Sequence, residues 1–157
     1  MPMNSTEITA NTILSTTGGN FDGLIYYNGG TASVINVFDN TVADVTVPCN
    51  YNNDPTITTA DTTGLAVGMF VTGTGIPDGA TIASITDATT FELSASTTGG
   101  NVVAGLLTFI DATNQIAKFN VAADTSDVIR GLDIICRNGI KIIADNFTTL
   151  EIFALTN

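Results

Sequence analysis

Residues 21–38 read FDGLIYYNGGTASVINVF, and this stretch is the strongest indicator of the fold class. Two runs rich in β-branched and aromatic side chains, 21–27 and 31–38, flank Asn28-Gly29-Gly30. Asn-Gly accepts the positive φ angles that a two-residue hairpin turn requires. The stretch therefore predicts a β-hairpin, in which strict alternation places Phe21 on the face of Ile25 and Tyr27, opposite to Leu24.

A second stretch, 132–144 (LDIICRNGIKIIA), has the same organisation around Asn138-Gly139. It predicts a hairpin in which Ile135 lies opposite Ile142, with apolar side chains on both faces. A strand that is apolar on both faces is usually buried on both faces. The stretch is therefore expected in a core covered by a second sheet or at a subunit interface. The run 147–155 is predicted to be a further strand of the same character.

Composition extends the β prediction to the whole chain. Val, Ile and Thr make up 55 of the 157 residues, a balance that favours pleated sheet and excludes a helical bundle. Short runs separated by glycine-rich turns over 55–110 predict a small β module of its own. We predict an all-β protein: an antiparallel, jelly-roll-like sandwich formed by 1–54 and 111–157, with 55–110 inserted as a small β module.

The content of charged and titratable residues excludes several classes of function. The chain has no His, which rules out Ser-His-Asp and Cys-His nucleophile systems within it. The net charge is −11, and the four cations, Lys118, Arg130, Arg137 and Lys141, all lie in the last 40 residues. We expect neither nucleic acid nor membrane partners, because phosphates and anionic lipids recruit Lys and Arg. No signal peptide is expected, and the two thiols, Cys49 and Cys136, are expected to be reduced.

Three groups of residues suggest ligand sites, and each has a structural alternative. The sequence 73–79 (GTGIPDG) looks like a phosphate loop but lacks the following Lys-Ser/Thr, so we expect a turn. Acidic and amide side chains can hold Ca²⁺, but they also favour turns, and we expect no metal or cofactor. Exposed tyrosines can stack on a sugar ring, although a core position is favoured for these residues. The Ca²⁺ candidates are Asp39, Asn40 and Asp44, or Asn52, Asn53 and Asp54; the tyrosines are Tyr26, Tyr27 and Tyr51.

The inserted segment contains a recognisable pattern. Residues 63–77 read TGLAVGMFVTGTGIP, followed by 79–85 (GATIASI) and 91–94 (FELS). This closely resembles a module found repeatedly in virion proteins of tailed bacteriophages. More loosely, Gly29 to Asn40, the Asn138-Gly139 hairpin and the last apolar run resemble small all-β capsid-decoration or head-fibre proteins.

The resemblance implies a non-enzymatic virion protein that decorates or cements the capsid. It would be assembled in the host cytoplasm, dock through the sandwich on the major capsid protein or other virion proteins, and project the inserted module outward. A homo-oligomer, with a trimer favoured, is expected. The predicted interface residues are Arg130, Arg137, Ile140, Lys141, Ile142 and Phe153.

Two alternatives belong to other classes of function. The first is a tail-fibre or receptor-binding module that recognises a host glycan through Tyr51 or the loop at 74–79. The second is a glycosidase that uses two carboxylates, one of them with a raised pKa. No motif in the sequence supports the glycosidase.

Overall fold

The computed structural model describes residues 4–8, 12–15, 19–39, 44–129, 132, 134–136, 139–144 and 150–156. Apart from one turn of 3-10 helix, Ala112–Asn114, the regular structure of these residues is β-strand. The pairings between the strands are antiparallel. The all-β antiparallel prediction is confirmed.

The strands fall into two compact units. Unit 1 comprises Met1–Thr41 and Asn114–Asn157, and unit 2 comprises Val42–Thr113. In chain order the strands are β1 (Asn4–Ile8), β2 (Thr12–Ser15), β3 (Gly19–Asn28), β4 (Ser33–Asp39), β5 (Val45–Asn52), β6 (Thr56–Thr59), β7 (Phe70–Thr72), β8 (Ile82–Asp87), β9 (Thr90–Leu93), β10 (Asn101–Ile110), β11 (Gln115–Val121), β12 (Thr125–Ile129), β13 (Ile134–Cys136), β14 (Ile140–Ala144) and β15 (Leu150–Thr156).

Unit 1 contains two sheets. Sheet A has the order β1-β15-β3-β12, with β13 also paired to β3, and sheet B has the order β11-β4-β14-β2. The segment β1–β2 pairs with β15–β14, and β3–β4 pairs with β12–β11. Each of these two-stranded ribbons thus crosses from sheet A to sheet B, and β15–β3 and β4–β14 join the ribbons side by side. This is the arrangement of a jelly roll, a double-sheet fold of viral capsid and lectin domains.

The core of unit 1 draws side chains from both sheets. Its buried members are Phe21, Leu24, Ile35, Val37, Val121, Ile140, Ile142, Ala144 and Ala154. The strand β14 is buried along its whole length, as expected for a strand that is apolar on both faces.

The predicted hairpin over 21–38 is wrong, because β3 and β4 lie in different sheets. Neither Asn28 nor Gly29, both described residues, has the positive φ of a tight hairpin turn. Instead the buried side chain of Asn28 holds a corner between the sheets. Its Nδ2 donates to the carbonyl oxygens of Thr31, at 2.7 Å, and Ala122, at 3.1 Å, and its Oδ1 accepts from the Gly30 N–H at 3.2 Å.

The predicted hairpin over 132–144 is also wrong. β13 pairs with β3 in sheet A, whereas β14 pairs with β4 and β2 in sheet B. Ile135 therefore lies opposite Asn20 and not opposite Ile142. Both hairpin predictions fail for the same reason: turn residues indicate that the chain changes direction, but long-range pairing decides which sheet the next strand joins.

A bulge explains why Phe21 lies on a different face from the one predicted. The pairing of β15 with β3 shifts register between Gly23 and Phe21. The additional residue reverses the alternation, so Phe21 and Leu24 are both buried in the core.

Unit 2 interrupts unit 1 between β4 and β11, and it begins earlier than the predicted residue 55. Residues 42–54 were assigned to the sandwich, but β5 pairs with β6 and β10 inside unit 2. The six strands have the order β7-β10-β5-β6-β9-β8. A bridge from Phe70 in β7 to Thr81, which directly precedes β8, brings the two ends of the sheet together.

The interior of the curled sheet of unit 2 is apolar. Phe91 and Phe109 meet edge to face there, with ring centroids 5.6 Å apart. Their buried neighbours are Cys49, Tyr51, Ile57, Leu65, Val71, Ile82, Leu93 and Leu107.

We predict that Asn28→Ala lowers the free energy of unfolding of unit 1 by about 2–4 kcal/mol, because it removes the hydrogen bonds that this buried side chain makes across the corner. Urea denaturation followed by circular dichroism measures the change. The exposed Asn120→Ala is the matched control and should change the free energy of unfolding by less than about 0.5 kcal/mol. A loss for Asn28→Ala no larger than that of the control would contradict the role given to the corner.

Candidate interaction surfaces

Four carboxylates of the described residues serve in turns. Side-chain oxygens of Asp54, Asp61, Asp87 and Asp111 each accept the N–H of the residue two positions further on, at 2.7–3.1 Å. These bonds lower the pKa of Asp61 and Asp87, because the backbone and side chain of Thr63 and of Thr89 stabilise the charged form. A general acid needs a shift in the opposite direction.

The residues named as Ca²⁺ candidates are also used by the fold. Asn53 Oδ1 accepts the N–H of Gly100 at 2.8 Å, and Asp54 Oδ1 accepts that of Thr56 at 3.1 Å. Within the described residues there is no group of three or more His, Cys, Asp or Glu side chains that could hold a metal ion. Asn40 lies outside those residues.

Cys49 is a buried free thiol. Its Sγ donates to the carbonyl oxygen of Val47 at 3.5 Å. Burial raises the pKa of the thiol from 9.0 to about 11, against a smaller lowering by the hydrogen bond with Thr59. The thiol is therefore protonated at neutral pH and is not a nucleophile, since the thiolate is the reactive form. The side chain of Cys136 lies outside the described residues.

Tyr51 belongs to the core of unit 2, so its ring offers no stacking surface to a sugar. Its hydroxyl donates to the carbonyl oxygen of Thr74 at 2.6 Å and so fixes the glycine-rich loop. That loop is a turn, as predicted: the N–H of Ile76 bonds the carbonyl of Gly73, and that of Ala80 bonds the carbonyl of Pro77. Gly75 is required there, because its φ is +71° and an added Cβ would lie 2.1 Å from the Thr98 oxygen.

The predicted interface residues are placed in different environments. Ile140, Lys141 and Ile142 are buried within the chain, which leaves them little surface to offer a second chain. Phe153 is the register partner of Ile25, but its side chain lies outside the described residues, as do Arg130 and Arg137. A contact of these six residues with a partner stays a prediction.

An exposed apolar strip lies on sheet A, and we call Tyr27, Val128 and Ile135 the sheet A strip. The exposed fractions of Tyr27 and Ile135 are 56% and 69%, and Val128 is also exposed. Among the described residues of unit 1, these three are the large apolar residues whose side chains are exposed. Val128 lies opposite the half-buried Ile25, which continues the strip across β3. Ile135 lies further along β3, opposite Asn20. Large apolar groups exposed along one sheet offer a contact surface.

A shallow depression of about 390 Å³ lies beside the strip. Besides Tyr27 and Val128 it is lined by the hydroxyl-bearing Ser126 and the carboxylate-bearing Asp127, together with Ile25 and Tyr26. An aromatic ring beside hydroxyl and carboxylate oxygens can bind a polar ring such as a sugar, by stacking and by accepting hydrogen bonds.

Sequence reasoning identified Tyr27 as a possible binding residue but missed Val128 and Ile135. The run 125–129 (TSDVI) was too short and polar to be predicted as a strand, although Ser126 and Val128 alternate with Thr125 and Ile129. Ile135 was assigned to the second hairpin, where it would have faced Ile142.

Comparison of the chain with protein-family models, with curated proteins and with solved structures finds no match. Among the described residues no helix is long and apolar enough to span a membrane.

We predict that Cys49 does not react with an aromatic disulfide reagent in the folded protein at about pH 8, and reacts once the protein is unfolded. Because the thiol pKa is higher in the folded state than its ordinary 9.0, unfolding releases its proton above that pH. The contribution of Cys49 to stability is therefore constant below about pH 9 and falls as the pH rises towards about 11.

The measurement uses Cys136→Ser, so that Cys49 is the only thiol, and compares it with the double variant that also carries Cys49→Ala. Rapid labelling of folded Cys136→Ser would contradict the burial and raised pKa of Cys49. So would a free energy of unfolding that changes equally with pH in the single and the double variant.

Proposed function

We propose that the chain is a non-enzymatic structural protein of a tailed-bacteriophage virion, which decorates or cements the capsid. Unit 1 docks on the major capsid protein or another virion protein through the sheet A strip, and the inserted unit 2 projects outward. The observation that carries the proposal is the exposure of Tyr27, Val128 and Ile135 on one sheet of a jelly roll. An adhesive surface on a compact sheet fits a protein that binds a scaffold.

Two further features support this function. The pattern GLAVGMFVTGTGIP, which resembles the phage module, lies in unit 2 and forms its β7 edge and the turn fixed by Tyr51. The carboxylates of Asp61 and Asp87, held ionised by turn hydrogen bonds, suit a solvated acidic surface better than acid–base chemistry. A trimer is the favoured oligomer, since closed symmetric assemblies bury surface that a small chain leaves exposed.

We predict that the double variant Tyr27→Ser/Val128→Ser binds heads of its phage, purified without this protein, at least about tenfold more weakly than the wild type. Removal of two exposed apolar side chains lowers the burial that docking gains. Co-sedimentation with the heads measures binding, and light scattering measures the oligomer. Asn120→Ser, an exposed substitution on sheet B, is the control and should bind as the wild type does. Equal binding by the double variant would exclude the sheet A strip as the docking surface.

A second function, recognition of a host glycan, is favoured by the depression beside Tyr27. Its ring, Ser126 and Asp127 are the chemical groups of a sugar site, and their position differs from the expected one on Tyr51 and the loop at 74–79. Lectin domains also use the jelly-roll fold.

The glycan function predicts that the soluble chain binds members of a glycan array, and that Tyr27→Ala abolishes this binding while Tyr27→Phe keeps it, because stacking needs the ring and not the hydroxyl. A wild-type chain that binds no glycan on the array would remove this second function and leave the capsid proposal standing.

A further inference from the structure

Two large apolar side chains of β10 in unit 2 are exposed, and one of them lies in a bulge. Between the pairs Val102–Tyr51 and Gly105–Cys49, the single residue Asn50 lies opposite two residues, Val103 and Ala104. The exposed fraction of Val103 is 72%, and that of the next large apolar side chain in the strand, Leu106, is 64%. We call Val103 and Leu106 the β10 knob.

Three features of the local structure hold the bulge in place. Ala104 has a φ of +55°, a left-handed conformation that is unfavourable for a residue with a Cβ. The Asn50 side chain braces it, because Oδ1 accepts the Ala104 N–H at 2.8 Å. Gly105 is required next to it, since an added Cβ would lie 2.6 Å from Val102 Cγ1 and 2.9 Å from the Tyr51 hydroxyl. Strain that the surrounding structure maintains is typical of functional positions, and bulges commonly redirect side chains.

The charge of unit 2 indicates what kind of surface would cover the knob. Val42–Thr113 contain seven carboxylates and neither Lys nor Arg. A second unit 2 would carry the same seven carboxylates and no cation, and the like-charge repulsion between two such units opposes self-association. A partner that is apolar at its centre and basic at its rim gains both burial and attraction.

We propose that the β10 knob is a docking site for a second protein, which offers an apolar socket or side-chain pair flanked by Lys and Arg. Val103 and Leu106 supply the apolar centre of the contact, and the acidic surface of unit 2 attracts the basic rim. This site is in unit 2 and is separate from the sheet A strip of unit 1, so it does not rest on the capsid proposal.

The test uses an array of synthetic peptides in which a Leu-Phe pair is flanked by Lys, by Ser or by Glu at matched positions. We expect the full chain to bind the Lys-flanked peptides in preference to the others, and more weakly as salt screens the charges. Titration of the best peptide by fluorescence anisotropy should show at least about tenfold weaker binding for Val103→Ser/Leu106→Ser.

The matched control is Val67→Ser, because Val67 is as exposed as Leu106, at 63%, and lies in the same unit but outside β10. Asn50→Ala keeps both apolar side chains but removes the brace, and should weaken binding by an intermediate factor. Circular dichroism checks that each variant is folded.

Several outcomes would overturn the proposal. The proposal is wrong if Val103→Ser/Leu106→Ser binds the peptide as tightly as the wild type, or if Val67→Ser loses as much affinity as that double variant. It is also wrong if Asn50→Ala binds as tightly as the wild type, or if affinity does not depend on the charge of the flanking residues. A wild type that forms a dimer which Val103→Ser/Leu106→Ser dissociates would assign the knob to a second copy of this chain and overturn it too.

Discussion

The shape of unit 1 depends on how its ribbons cross between two sheets. Where a strand leaves one sheet for the other, its backbone groups lose their ladder partners, and amides and carbonyls that find no new partner destabilise the fold. At the corner between β3 and β4, the Asn28 side chain supplies the missing partners. Its bond to the carbonyl of Ala122 also fixes the neighbouring segment, where the chain passes from β11 to β12. One amide therefore holds both strands of the ribbon where the ribbon crosses between the sheets.

The insertion of unit 2 follows from a pairing at each of its ends. In unit 1, Gln115 pairs with Phe38, so the chain leaves and re-enters on neighbouring strands. In unit 2, Val45 pairs with Phe109, so its first and last strands are also neighbours. Segments whose ends lie close together can be inserted in a loop without disturbing the host, because they close a gap that the host loop already spans.

The sequence predicted the fold class and the presence of an inserted β module because both follow from local composition. It did not predict the partners of the strands. Asn28-Gly29 and Asn138-Gly139 indicated turns, but whether a turn joins neighbours in one sheet depends on long-range pairing. β3 pairs with β12 and β15, and β14 pairs with β4, each about a hundred residues away along the chain. The bulge at Gly23, which turns Phe21 inward, likewise depends on the register with β15.

The candidate surfaces were less predictable than the core. A buried residue such as Ile142 is recognisable because both faces of its strand are apolar, whereas Val103 resembles a core residue until the bulge in β10 is known. For Tyr51 the core position that the sequence favours is confirmed, but its hydrogen-bond partner, the carbonyl of Thr74, lies more than twenty residues further on and could not be predicted.

The negative charge of unit 2 affects how its exposed apolar residues meet other surfaces. Turn hydrogen bonds lower the pKa of Asp61 and Asp87 and so keep these carboxylates charged over a wider range of pH. A surface that remains negatively charged repels copies of itself, and this repulsion protects exposed groups such as Val103 and Leu106 from non-specific self-association. The repulsion does not act against a basic partner. Under the proposal for the β10 knob, the carboxylates that make the turns therefore also contribute to the negative charge that favours a basic partner.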